Sequence, residues 1–361
     1  MRTRTKAVAA LALGASALGW VLVSSDVGAG AAVSPGLACT SASQSPSVLT
    51  IGSGPGQYGY YVLPASAPVG IVAVEHGYQQ TADSFVSTLE QIATDDHVVA
   101  FAMDNSGTLD NGPGSTSSRG WRVEEGAADT AEVAQAFEAA CDTGSPPLTN
   151  VLLGISMGGD TSGIAAAAGS TRPNGSPLFD YWFDVSGMSN LTETYLEATL
   201  DSPLSTYAAD AKADIEQETG GTPASVPQRY LDDSPVTLAP SMKRAGIKGA
   251  VVLHAVMDGL VTSDEGDQML AALTAAQVPT DFYTAVLQAP GATSSTLDGD
   301  VIGQVDKSYV SPFAGHVGGI ILTTALDRLH QLYGGTVPSG LSVTLSDGQL
   351  GTVPIASLPG A

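Results

Sequence analysis

Gly154-Ile155-Ser156-Met157-Gly158 places a serine between two glycines, directly after the branched apolar run Val151-Leu152-Leu153 and directly before an Ala-rich stretch. In this G-x-S-x-G pattern the serine sits on a sharp strand-to-helix turn, and the glycines spare the neighbouring backbone the crowding of a side chain. The turn lifts the Ser156 hydroxyl clear of the sheet. It also aims the amides that begin at Met157 into the same space, at the positive end of the following helix, where an oxyanion would form. The chemistry such a residue can do is nucleophilic attack on an acyl carbon. An ordinary tight turn is the alternative, since a chain with 42 glycines produces such a pattern by accident.

A serine hydroxyl needs a base, and the base needs a group that fixes its tautomer. Five histidines are available. His316, in Phe313-Ala314-Gly315-His316, follows the last expected strand in a Gly-flanked loop ahead of a helix, and is the candidate base. His76 and His254 fall at or in strands, His97 begins one and His330 lies on a helix; all four read as structural or surface residues. Asp258 stands just past the apolar strand 249–256 and is the candidate orienting carboxylate. Asp184, at the end of the Phe179 to Val185 strand, competes with it, while Asp264 and Asp267 read as first-turn helix acids. Tyr78, after His76-Gly77 at an early strand end, is placed to give a second oxyanion amide beside Met157, with its ring along the acyl pocket. No close-spaced His/Asp set suggests a metal, no dinucleotide or phosphate loop is present, and no cofactor is expected.

These residues must be brought together by the elements between them. Strands are expected at Tyr58 to Pro64, Gly70 to Val74, His97 to Met103, 151–155, Phe179 to Val185, Gly249 to Val256 and Asp281 to Leu287. Helices with apolar faces alternate with them: one after a Thr81 cap, one over Glu124 to Cys141, one opened by Ser234-Pro235, one behind a Thr262/Glu265 capping box, and a last one carrying Leu322, Leu326 and Leu329. Strand, helix, strand in that rhythm predicts an α/β fold: a mostly parallel twisted sheet with helices on both faces. The polar, acidic stretch 190–233 interrupts the rhythm with two short helices, near Glu193 to Leu200 and Ser205 to Thr219. It reads as a cap insertion over the elbow, or as surface decoration. Residues 40–55 read as a loose lead-in, and the nearly uncharged tail 334–361 suggests no function.

The chain has 361 residues, 43% of them hydrophobic, with 36 acidic against 13 basic and a formal charge of -23. That charge argues against nucleic acid or an anionic membrane as partner. Arg2, Arg4 and Lys6 precede an apolar run to about Val23, and Ala29-Gly30-Ala31 suits signal-peptidase cleavage, so residues 1–31 read as a signal peptide. The run is short for a retained anchor, and a secreted protein with no stable membrane anchor is expected. The two cysteines, Cys39 and Cys141, then fall in an oxidising compartment and favour one disulfide, two buried thiols being the alternative.

Taken together, Ser156, Asp258 and His316 in that order, the elbow GISMGG and the segment HGY resemble the α/β-hydrolase superfamily over about residues 58–333. The resemblance implies Ser156 as nucleophile, His316 as general base, Asp258 as its orienter, and oxyanion amides at Tyr78 and Met157. HGY and SMGG are similar to secreted cutinase-like and dienelactone-hydrolase-like esterases, and YLDDSPVTLAP to prolyl-oligopeptidase-like hydrolases. Ile155 departs from the polyester hydrolases, which usually carry His or Trp there. The implied activity is a secreted serine esterase acting on a small-molecule or polymeric ester. The alternatives are an exopeptidase or amidase with the same triad, and a noncatalytic binding protein on this fold.

Overall fold

The computed structural model describes residues 37–286, apart from 111, 116, 145, 257 and 259, and residues 319–346. Among the described residues nine strands form one sheet in the order β1-β2-β4-β3-β5-β6-β7-β8-β9. β1 (Ser47–Thr50) pairs antiparallel with β2 (Tyr58–Val62), and β2 pairs antiparallel with β4 (Val99–Met103). From β4 onward every pairing is parallel, through β3 (Gly70–Glu75), β5 (Thr149–Ile155), β6 (Tyr181–Val185), β7 (Gly249–Ala255), β8 (Thr280–Val286) and β9 (Ser342–Ser346).

Parallel strands covered on both faces read as unbroken apolar runs, and alternation then decides which helix each residue meets. Val72 and Val74 of β3 join Leu89 and Ile92 of α1 (Val86–Asp96) and Ala325 and Leu329 of α9 (Gly319–Tyr333) on one face. Ile71 and Ala73 join the other face, with Phe137 of α2 (Val123–Cys141), Ala165 of α3 (Met157–Ala167), Met242 of α7 (Pro235–Ala245) and Met269 of α8 (Ser263–Ala275). The register sets Glu75 opposite Gly154, and Ile155 opposite Val185, which faces Leu253. β3, β5, β6 and β7 therefore end level, and the segments that leave them share one edge. Between β6 and α7, helices α4 (Leu191–Asp201), α5 (Thr206–Thr219) and α6 (Pro227–Asp232) stand over that edge on a small core of Leu191, Tyr195, Ile215 and Tyr230 with Trp121 and Met188. Asn190 caps α4, Ser205 caps α5, and Gly220 at φ 81° ends α5.

Several expectations are corrected. The lead-in contains β1, and the tail supplies the edge strand β9. A third helix, α6, joins the two expected between 190 and 233. His97, at φ 56°, ends α1, and β4 starts at Val99. Three expected cap side chains are drawn into tertiary ties. The Thr81 hydroxyl donates to the Ser115 carbonyl (2.7 Å), and Ser234 Oγ accepts from the Leu191 amide (2.9 Å). No capping box forms at Thr262, because the Glu265 carboxylate accepts from the amides of Ser189 (2.7 Å) and Asn190 (2.8 Å) instead. Cys39 and Cys141 form the expected disulfide, stapling the segment before β1 to the last residue of α2 across 102 residues. Among the described residues no helix is long and apolar enough to cross a membrane.

Candidate active site

Ser156 stands between β5 and α3 at φ 58°, ψ -125°, a strained conformation for a residue with a Cβ. Its backbone is pinned: its amide donates to the Val185 carbonyl (3.1 Å), and its carbonyl accepts from Gly159 (2.8 Å) and Met188 (3.1 Å). The flanking glycines are needed for close approach. A Cβ at position 154 would run into the Gly158 carbonyl, and one at 158 into the Glu75 carbonyl. Gly77 also lies close to the nucleophile, since a Cβ there would stand 3.2 Å from that of Ser156.

That closeness brings the segment after β3 to the serine. Gly77-Tyr78-Gln79-Gln80 is a turn in which the Gln80 amide donates to the Gly77 carbonyl (3.1 Å) and the Gly77 amide to Gln80 Oε1 (2.9 Å). Among the described residues neither the Tyr78 nor the Met157 amide donates to a backbone or side-chain acceptor. An oxyanion would require unengaged donors of this kind. The turn is backed by His76, whose Nδ1 lies 2.9 Å from the Gly77 carbonyl and whose Nε2 lies 2.9 Å from Asp104 Oδ1. Burial opposes a charge on His76, but Asp104, the Gly77 carbonyl and Glu75 together outweigh it and hold its pKa above the ordinary value. Burial pushes Asp104 up to about 6 and Glu75 up to about 8, against the hydrogen bond that Thr130 gives Glu75.

Asp258 lies past the end of β7, nearly buried, with Oδ1 accepting from the amides of Leu260 (2.9 Å) and Val261 (3.0 Å). His254 supports that loop: its Nε2 lies 2.8 Å from the Val261 carbonyl and 3.6 Å from Asp258 Oδ2. Asp184 is wholly buried against Gly159 and Gly187, and burial pushes its pKa up to about 7. His330 sits on α9 with Nδ1 2.7 Å from Asp96. His316 lies outside the described residues; the described residues bring Ser156, Tyr78 and Met157 together and place Asp258 at the same edge.

Two cavities meet at this edge. One, of about 370 Å³, is lined by Ser156, Gly77, Tyr78, Phe85, Tyr207 and Leu322. The other, of about 230 Å³, lies under the cap between Met188, Glu197, Leu200 and Asp258. Tyr78 and Tyr207 line both, their rings edge to face with centroids 5.3 Å apart. The Tyr78 phenol donates to Asp214 of α5 (2.6 Å), a contact that no local pattern foreshadows.

Comparisons with known proteins bear on the fold. The chain matches no protein-family model, and no curated protein matches it. A puromycin hydrolase structure superposes with a TM-score of 0.52 at 15% identity, over 82% of this chain but only 41% of the hydrolase, so the chain spans about two-fifths of that protein's length. A hyperthermophilic esterase from the archaeon Pyrobaculum calidifontis gives a TM-score of 0.49 at 18% identity, over 80% of this chain and 84% of the esterase. The strand order, the helices on both faces and the puromycin hydrolase match together show that the chain has the α/β-hydrolase fold.

Proposed function

We propose that the chain is a serine hydrolase that cleaves carboxylic esters, small or polymeric, through an acyl-enzyme on Ser156. His316 takes the Ser156 proton as the hydroxyl attacks the acyl carbon, and Asp258 holds the imidazole in the required tautomer. The amides of Tyr78 and Met157 receive the oxyanion; the imidazolium then protonates the departing alcohol, and water repeats the sequence to release the acid. The observation that carries this reading is the backbone of Ser156: a strained serine at a strand end with two unengaged amides before it has no folding role that explains it. The two cavities that share Tyr78 and Tyr207 fit an ester whose two parts are each compact, since about 150 Å³ already holds a benzene ring. We take residues 1–31 as an export signal and the mature enzyme as secreted, a setting in which the Cys39–Cys141 bridge persists.

One observation favours an amidase or exopeptidase instead. Glu197 and Asp201 line the cavity under the cap, where a substrate amino group could be received. Para-nitrophenyl esters of increasing chain length, set against aminoacyl-nitroanilides, separate the two. The ester reading expects turnover of the former, loss of turnover in Ser156→Ala, and labelling of Ser156 by a fluorophosphonate. Preference for the anilides would replace it, and no labelling at Ser156 would end both.

A further inference from the structure

We propose that Asp214, on cap helix α5, is a positioning residue for the oxyanion amide of Tyr78, acting through the tyrosine's own phenol. This rests on the reading of Ser156 as nucleophile. Tyr78 presents its amide beside Ser156 and anchors its far end in the cap, where the hydroxyl donates to Asp214 Oδ2 at 2.6 Å. The anchor is itself fixed. Arg119 holds Asp214 with two parallel bonds, Nε to Oδ2 and Nη2 to Oδ1, both 3.0 Å, and the Gly120 amide adds a third at 3.0 Å. Arg119 Nη1 also reaches Asp210, one turn earlier on α5, at 2.9 Å.

The turn that carries the amide has reason to need holding. Gln79, the residue after Tyr78, sits at φ 60°, in the left-handed region that a non-glycine residue adopts at a cost. Its side chain reaches Asp210 (3.4 Å), so the same cap carboxylates grip both residues of the strained step. The Tyr78 ring is meanwhile lodged between Trp121 and Tyr207, with centroids 5.4 and 5.3 Å away. A ring fixed by its neighbours and a hydroxyl fixed by a clamped carboxylate leave the Cα–Cβ direction no freedom. The peptide joining Gly77 to Tyr78 therefore keeps its N–H on the oxyanion position. Without the clamp the turn can relax, the amide swings, and transition-state stabilisation falls while substrate binding is little changed.

The test compares Tyr78→Phe, Asp214→Asn and the double variant with the wild type, by para-nitrophenyl butyrate kinetics, fluorophosphonate labelling rate and Tm. Each single variant should lose about 10- to 100-fold in kcat with KM within about 3-fold, and labelling should slow in parallel. The double variant should lose no more than the worse single, because both changes cut one path. Tyr78→Phe keeps the ring and the amide, so it decides the matter even if Asp214→Asn folds poorly. Arg229→Gln breaks a different cap tie, the pair of bonds to Glu124 (2.7 and 2.6 Å), and should lower Tm without moving kcat. A wild type labelled at Ser156 at a rate that Tyr78→Phe and Asp214→Asn leave unchanged overturns the proposal alone, as does a double variant whose loss is the product of the singles. A wild type with no labelling at Ser156 overturns the site reading and the proposal with it.

Discussion

Ser156 holds a backbone conformation that costs about 1–3 kcal/mol and that glycine would adopt with little strain. Ser156→Gly should therefore raise stability, by about 1 kcal/mol, while abolishing hydrolysis; urea unfolding beside an ester assay checks both. The two candidate acids separate in the same way. Asp258→Asn should lower kcat by about 10⁴-fold if Asp258 holds the base. Asp184→Asn should leave kcat within about 10-fold, and should raise Tm above about pH 7, where the wild type must ionise a carboxyl walled in by Gly159 and Gly187. Ser156, Met157, Tyr78 and Asp258 were legible because each follows a short apolar run with glycine beside it, a purely local signal. Asp214 was not, because 136 residues separate it from Tyr78 and an acid on an acidic helix has nothing to distinguish it.

At the scale of elements, the central strands declared themselves as continuous apolar runs, whereas the edges did not. β1 is four residues long with one buried position, and β9 mixes Ser and Thr with its apolar residues. β9 pairs with β8 along its length, and one side chain fixes the segment that leads into it. Asp281 Oδ1 accepts from the amides of Ser339, Gly340 and Leu341 at 2.9–3.1 Å, and Oδ2 accepts from buried Arg328 at 2.7 Å. Asp281→Ala should cost about 3–5 kcal/mol, because it leaves a buried guanidinium without its counter-charge and the approach to β9 without its acceptor; denaturant midpoints and hydrogen exchange across 339–346 measure it. The capping box misread at Thr262 has the same lesson in reverse. Its spacing was correct, but two orphan amides at the foot of the cap, at Ser189 and Asn190, took the carboxylate.

For the molecule as a whole, buried carboxyls set the response to pH. Burial raises Glu75, Glu218 and Glu265 to about 8, and Asp184, Glu197 and Asp233 to about 7. The folded chain then binds more protons than the unfolded one between roughly pH 4 and 8, so stability falls as pH rises through that window. Asp214 and Glu216 have the opposite sign: burial opposes charge on Asp214, but Arg119, Tyr78 and Gly120 outweigh it, and Lys212 and Tyr195 lower Glu216. Their contribution is present at neutral pH and disappears in stronger acid. Tm should therefore peak near pH 4–5 and drop by on the order of 5 °C or more by pH 8, read by calorimetry. The planar cation of Arg119 that straddles Asp210 and Asp214 adds a vulnerability of another kind, since a denaturant of identical shape can compete for both partners. Guanidinium chloride should extinguish turnover at concentrations that leave the circular dichroism spectrum intact, whereas urea, which carries no charge, should abolish activity and structure over the same range.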